Sequence, residues 1–382
     1  MTNYLVKTYL RLRKSTTSLA VASFLVLLSL FIPANVLFNN SWATSIEVPV
    51  YMLTTRGDRE EAEGVEEELG YNDKYSLRDI NEILINCPEE TAIFVHGWGN
   101  DHYKAKERLD RVKMSLENNS YFIPLVGLSW DSNTDWDPAK FTAKENGPKL
   151  GQFILEYKQT CKYEQNKDVK VRLLGHSMGS RVILSALQSL HQNSTWNNNT
   201  NNFKISSVHL MGAAVDDNEV SKDPLDVGND PVKFAYGDAI QAEVTRFYNL
   251  FDPQDNMLQF VYLYFEDSQA LGNNGKQAGI DEMSRPPYYD IDVQSQIESI
   301  GNADGLADRH LLLCSYFSSE VCEVTIEGYD VGLCAGHVFH YTCTVSVGDN
   351  HAGYIGFRNL TNISLLADDG AIDAVVANWH SE

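Results

Sequence analysis

The sequence predicts an α/β fold with a mostly parallel sheet and helices on both of its faces. Short apolar runs alternate with longer stretches of helical spacing over most of residues 44–382, the rhythm of strand–crossover–strand units. Within it, Gly175-His176-Ser177-Met178-Gly179 separates a strand-like run from a helix-like one. Sheets of this kind place their sites at the carboxyl ends of the strands.

Ile46–Thr54 reads as the first strand, and Gly57–Gly70 as an acidic, solvated stretch. Leu77–Ile85 has helical spacing. Thr91–Val95 is a short apolar strand ending in His96-Gly97-Trp98-Gly99, with a helix expected over Tyr103–Leu116. Phe122–Trp130 is the next strand and Lys149–Cys161 the next helix. Val169–Leu174 is a strand, followed by a helix from Met178 to about Leu190. Ile205–Met211 and Val244–Leu250 are further strands. Gln192–Asn202 is a polar surface loop. Phe265–Val338 has weak periodicity, many Gly and Asp residues, Arg285-Pro286-Pro287 and three of the six cysteines. It is too long for a plain connection and reads as an insertion folded over the site as a lid.

The 382 residues are 43% apolar and 21% charged, which is ordinary globular usage and excludes fibrous and fully disordered chains. Lys+Arg is 30 against 52 Asp+Glu, a net charge of −22. A chain this acidic repels phosphate backbones, so no nucleic-acid partner is expected. The charge is uneven. Lys7, Arg11, Arg13 and Lys14 precede any acid, and an apolar run from Leu19 to Ile32 follows. Ser41-Trp42-Ala43 offers small residues where a signal peptidase cuts. This order is that of a secretory leader over residues 1–43, cleaved or retained as an anchor. The expectation is an extracytoplasmic protein, with residues 44–382 as one domain and membrane contact only through an uncleaved leader. Six Asn-x-Ser/Thr sequons, at Asn39, Asn118, Asn193, Asn198, Asn359 and Asn362, fit export weakly.

A serine hydroxyl needs exposure and a neighbouring base to act as a nucleophile. Glycines two before and two after Ser177 permit the tight strand-to-helix turn that supplies the exposure. Preceded by VKVRLL and followed by SRVILSALQSL, the pentapeptide has the required context. With IFVHGWGND as a strand and oxyanion loop, GHSMGSRVI as the nucleophile turn and GLSWDS between them, the chain resembles the α/β-hydrolase superfamily over most of residues 46–380. The resemblance implies the α/β-hydrolase fold and a serine-dependent hydrolase of the esterase or lipase type, acting on a small-molecule or lipid ester. It implies no cofactor.

A tetrahedral intermediate needs hydrogen-bond donors on its oxyanion. The N–H of Met178 is one. In similar enzymes the residue after His-Gly supplies the other, here Trp98. His96 precedes Ser177, against the family order of serine, acid, histidine, and is read as structural. His176 adjoins the nucleophile and cannot easily face it. Of His191, His209, His310, His337, His340, His351 and His380, His351 follows a β-branched run, Thr342–Val347, and a polar turn. It is the expected general base. The acid is expected at Asp255 on family-like spacing, with Asp252 as runner-up and Asp216 third.

The six cysteines, Cys87, Cys161, Cys314, Cys322, Cys334 and Cys343, suit an oxidising compartment. Cys87 precedes a strand, and Cys161 ends a crossover helix that returns to the same edge of the sheet. The two are expected to pair, closing a loop of about 75 residues. Cys314–Cys322 and Cys334–Cys343 are then the simplest remaining bridges. Cys334, His337, His340 and Cys343 also form a candidate zinc set, but their spacing in a strand-like run of an exported chain favours disulfides. The rival to an exported ester hydrolase is a cell-surface binding protein on the same scaffold, or a peptidase or acyltransferase with the same triad.

Overall fold

The computed structural model describes residues 47–56, 83, 86–197, 202–228, 230–278, 288–297, 313–314, 341–342, 350–355 and 370–381. All belong to the unit Glu47–Glu382. The leader over 1–43, the acidic stretch 57–70, His310, His337, His340, Cys322, Cys334 and Cys343 lie outside the described residues, as does nearly all of 77–85. Among the described residues, no helix is long and apolar enough to cross a membrane.

Seven parallel strands form the sheet in the order β1-β3-β2-β4-β5-β6-β7. They are β1 (Val50–Thr54), β2 (Glu90–Val95), β3 (Leu125–Ser129), β4 (Lys170–His176), β5 (Ile205–Met211), β6 (Val244–Phe251) and β7 (Tyr288–Asp292). Among the described residues, the α-helices of seven residues or more are α1 (His102–Asn118), α2 (Trp136–Gln165), α3 (Gly179–His191), α4 (Gly237–Glu243) and α5 (Ile372–His380). This is the α/β-hydrolase fold, and the two-residue alternation of the strands explains its layers. Ile93 and Val95 of β2 join one core with Phe153, Ile154, Val182 and Leu187 of α2 and α3. Ala92 and Phe94 join another, with Leu109, Val112 and Leu116 of α1 and Val375 and Trp379 of α5.

Several boundaries differ from expectation. β1 and β3 are shorter than Ile46–Thr54 and Phe122–Trp130. The helix expected over Lys149–Cys161 begins at Trp136 and runs through Pro148. Proline removes the N–H that would bond the carbonyl four residues back, here Lys144. The Ser185 hydroxyl of α3 donates to that carbonyl instead, at 2.7 Å. Close approach makes the exchange possible: a Cβ on Gly147 would lie 2.3 Å from that of Ser185.

One expectation about the chain's second half changes in part. A piece of 265–338 builds the sheet rather than covering it, because Tyr288–Asp292 pairs with β6 as the edge strand. Of the run Thr342–Val347 only Thr342 is among the described residues, and Tyr341–Thr342 pairs antiparallel with Leu313–Cys314. His351 stands on a short helical turn, Asn350–Gly353.

At the amino edge of the sheet, Cys87 and Cys161 form a disulfide, with Cα atoms 5.5 Å apart. Both residues are fully buried, and the Lys167 ammonium donates to the Cys87 carbonyl at 3.2 Å.

Candidate active site

β4 ends at His176, and α3 starts two residues after Ser177. The reversal requires Ser177 to adopt φ +54°, the left-handed region that costs a side chain with a Cβ. The Ser177 N–H donates to the Met211 carbonyl of β5 at 3.0 Å, and its carbonyl accepts from Ala214 at 3.2 Å. These bonds hold the strained turn above the sheet edge. Two glycines let the neighbouring chain close in. A Cβ on Gly179 would sit 2.3 Å from the Val95 carbonyl oxygen, and one on Gly97 2.6 Å from the Ser177 Cβ. Residue 97 therefore has to be glycine for the His96–Asn100 loop to lie against the serine.

That loop is braced from several sides. The Asn100 amide donates to the carbonyls of Gly97 and Trp98, both at 2.9 Å. Gly99 N–H donates to the Ser132 carbonyl, and the Ser132 hydroxyl to the Asn100 carbonyl. Arg56, only 2% exposed, donates to the same Asn100 carbonyl at 2.8 Å and to Ser129 Oγ. The Trp98 indole N–H reaches the Thr134 carbonyl at 2.7 Å. Arg56 and Ser132 had no signal in the sequence, because each is recruited by packing across strands, and Asn100 had none because its bonds form only in the folded loop. Met178 is fully buried at the head of α3.

His96 is part of this brace. One ring nitrogen bonds the Gly97 carbonyl, the other accepts from Trp130 N–H at 3.3 Å, and the ring stacks on Trp130. Burial first, then the charge of Arg56, pushes its pKa down to about 3. It is a neutral structural histidine at ordinary pH.

His351, Ser177 and His176 line one pocket with Gly97, Trp98 and Tyr262. Beneath it, His351 Nδ1 lies 2.7 Å from Asp255 Oδ2. Asp255 is fully buried, and its second oxygen accepts the Leu258 N–H at 3.1 Å. Asp252 instead accepts the Gln254 N–H at 2.8 Å in its own turn. Asp216 accepts from Tyr262 and Ser268 and pairs with Lys233. The Nε2 of His176 bonds the His351 carbonyl at 2.7 Å. It thereby fixes the turn that carries His351. The remaining described histidines of the candidate set lie elsewhere. His191 pairs with Glu243, His209 is stacked on Tyr248 inside the fold, and His380 sits beside Tyr121.

Among the described residues, no cluster of His, Cys, Asp and Glu could hold a metal ion. The set Cys334, His337, His340 and Cys343 lies outside them.

The profile of a family described as "Alpha/beta hydrolase of unknown function" matches residues 75–280, more than half of the chain. The chain belongs to this family. Membership supports hydrolase activity in the broad sense and names no substrate. No curated protein compared with this α/β-hydrolase matches it. Three solved structures are similar in part. The siderophore hydrolase EstB from Aspergillus fumigatus is 18% identical over 35% of this chain and 38% of its own, with a TM-score of 0.23. An esterase of Pyrobaculum calidifontis is 10% identical over 53% and 66%, at 0.25. The phospholipase PlaB from Legionella pneumophila is 12% identical over 44% and 40%, at 0.23. The match spans less than two thirds of each of those chains, and at these scores the likenesses carry no argument.

Proposed function

We propose that this α/β-hydrolase cleaves carboxylic esters through an acyl-enzyme, with Ser177 as nucleophile, His351 as general base and Asp255 as its orienting acid. The observation that carries the reading is the 2.7 Å contact between His351 Nδ1 and Asp255, with His351 and Ser177 lining one pocket. A carboxylate on Nδ1 fixes the tautomer in which Nε2 accepts a proton, and it stabilises the imidazolium that results. Ser177 Oγ attacks the acyl carbon and its proton passes to His351. The ester C–O bond then breaks, and the leaving alcohol takes that proton. Water, deprotonated in turn by His351, releases the acid and restores Ser177. The N–H groups of Trp98 and Met178 are the donors assigned to the oxyanion. The rigid bracing of residues 96–100 supports that assignment, since preorganised donors need no rearrangement during reaction.

Export is part of the same proposal. The basic-then-apolar leader over 1–43 supports it, and so does the Cys87–Cys161 disulfide, a bond favoured in oxidising compartments. The part of 265–338 beyond the edge strand is proposed to shape the acyl pocket as a lid.

A fluorophosphonate probe tests the chemistry. The wild type should label on Ser177, and Ser177→Ala should not label while keeping its circular dichroism. A folded wild type that resists labelling would leave the non-catalytic binding scaffold as the better reading.

A further inference from the structure

Helix α1 turns one face to the sheet. Ala105, Leu109, Val112, Ser115 and Leu116 on that face are buried. Residue 108 falls on the same stripe, three after Ala105 and four before Val112, where an amphipathic helix normally carries an apolar side chain. It is an arginine, and it is partly buried. A guanidinium at an inward position loses hydration and needs a reason to be there.

The other buried arginines are not among the residues that line the pocket. Arg181 makes two bonds to Glu219, at 2.9 and 2.7 Å. Arg172 bonds Glu90 and Ser207, and Arg56 bonds Ser129 and the Asn100 carbonyl. Arg108 differs in its place. It lines the pocket that holds Ser177 and His351. No aspartate, glutamate or lysine is among the described residues lining that pocket, so Arg108 is their permanent charge. Much of the remaining wall is apolar: Trp98, Trp136, Leu258 and Val261. A cation among such groups acts through a low local dielectric and attracts an anion far more strongly than on the surface. It does so within a chain whose net charge of −22 repels anions elsewhere.

We propose that Arg108 selects ester substrates carrying an anionic oxygen-acid group, a carboxylate or a phosphate, close to the scissile bond. The planar fork of the guanidinium matches two oxygens of either group. The inference rests on the serine-hydrolase reading above and gives it a substrate class.

Three esters test it on the full chain. 4-Nitrophenyl hexanoate is neutral. Mono(4-nitrophenyl) adipate replaces the terminal methyl with a carboxylate on the acyl side. 4-Phosphonooxyphenyl hexanoate carries a phosphate on the alcohol side. The wild type should show a higher kcat/KM for at least one charged ester than for the neutral one, and the responding arm identifies the group and the side. In Arg108→Gln the charged-to-neutral ratio should fall about tenfold or more, the loss expected for a charge-assisted hydrogen bond. Arg108→Lys should keep part of it. A measurement on the wild type alone gives a second reading: adipate should slow fluorophosphonate labelling of Ser177 at concentrations where hexanamide does not. Labelling of Ser177 with no preference for either charged ester would overturn this inference and leave the hydrolase reading intact. So would an equal loss on all three esters in Arg108→Gln. Absence of labelling in the folded wild type would overturn both.

Discussion

Asp255 and Asp216 follow adjacent parallel strands, β6 and β5, and both are removed from solvent, at 0% and 2% exposure. Their surroundings differ. Asp255 meets one backbone N–H and an imidazole. Asp216 meets a lysine, a tyrosine and a serine, inside a web in which Arg181 pairs with Glu219, and Glu266 with Lys140 and Lys233. A permanent cation neutralises Asp216 and leaves it nothing to do in a proton transfer. The partner of Asp255 changes its charge when it takes a proton. On the proposed chemistry, the partner rather than burial is what singles out Asp255 as the acid. The web has its own task, since Glu266 accepts the Trp136 indole at 2.6 Å and Asp216 the Tyr262 hydroxyl at 2.6 Å. Both aromatic side chains line the pocket.

The contrast breaks most visibly if Asp255 is neutralised. Asp255→Asn should lower kcat by about 10³–10⁴-fold through the wrong histidine tautomer, with a small change in melting temperature. An inactive Asp216→Asn beside an active Asp255→Asn would exchange the two roles.

The disulfide supplies a stability control at the opposite edge of the sheet. Replacing Cys87 and Cys161 by alanine should cost about 4 kcal/mol by loop entropy alone, read as a lower denaturant midpoint. Turnover per folded molecule should stay the same. Asp216→Asn should sit next, at about 3 kcal/mol, because it strands part of a buried charge web. If it proves neutral in denaturation, the web is ornamental.

Asp217 gives the smallest effect. Burial, then repulsion from Asp216, raises its pKa to about 6 from an ordinary value near 4. The folded state thus holds an extra proton between those values, and stability from this group falls as pH rises through that window. Asp217→Asn should therefore stabilise the protein at pH 7 by about 1 kcal/mol, after discounting for its partial exposure, and give no gain at pH 4. Chemical denaturation at the two pH values checks the sign.

How far the sequence reads depends on how local the determinant is. The turn at Ser177 is legible because its glycines are local requirements of one reversal. The Cys87–Cys161 pair is legible from topology, since a crossover helix must return to the edge where its strand began. His351 was singled out by chain order and turn context and Asp255 by spacing that resembles the family's, and the structure brings them together; their roles rest on the proposed chemistry. Arg56 and Ser132 were invisible, because they act on the His96–Asn100 loop from two separate segments, and Asn100 because its bonds depend on the loop's own fold. The start of α2 was misjudged for the same reason. Nothing near Pro148 in the sequence announces that Ser185 will satisfy the carbonyl the proline leaves behind.

That hydroxyl ties two stretches of chain together. The bond from Ser185 to Lys144 joins residues 41 apart. Pro148 cannot supply this bond from within α2, so the unbroken run Trp136–Gln165 leans on α3, the helix that follows Ser177. The helix that leaves the turn at Ser177 thereby also splints its neighbour.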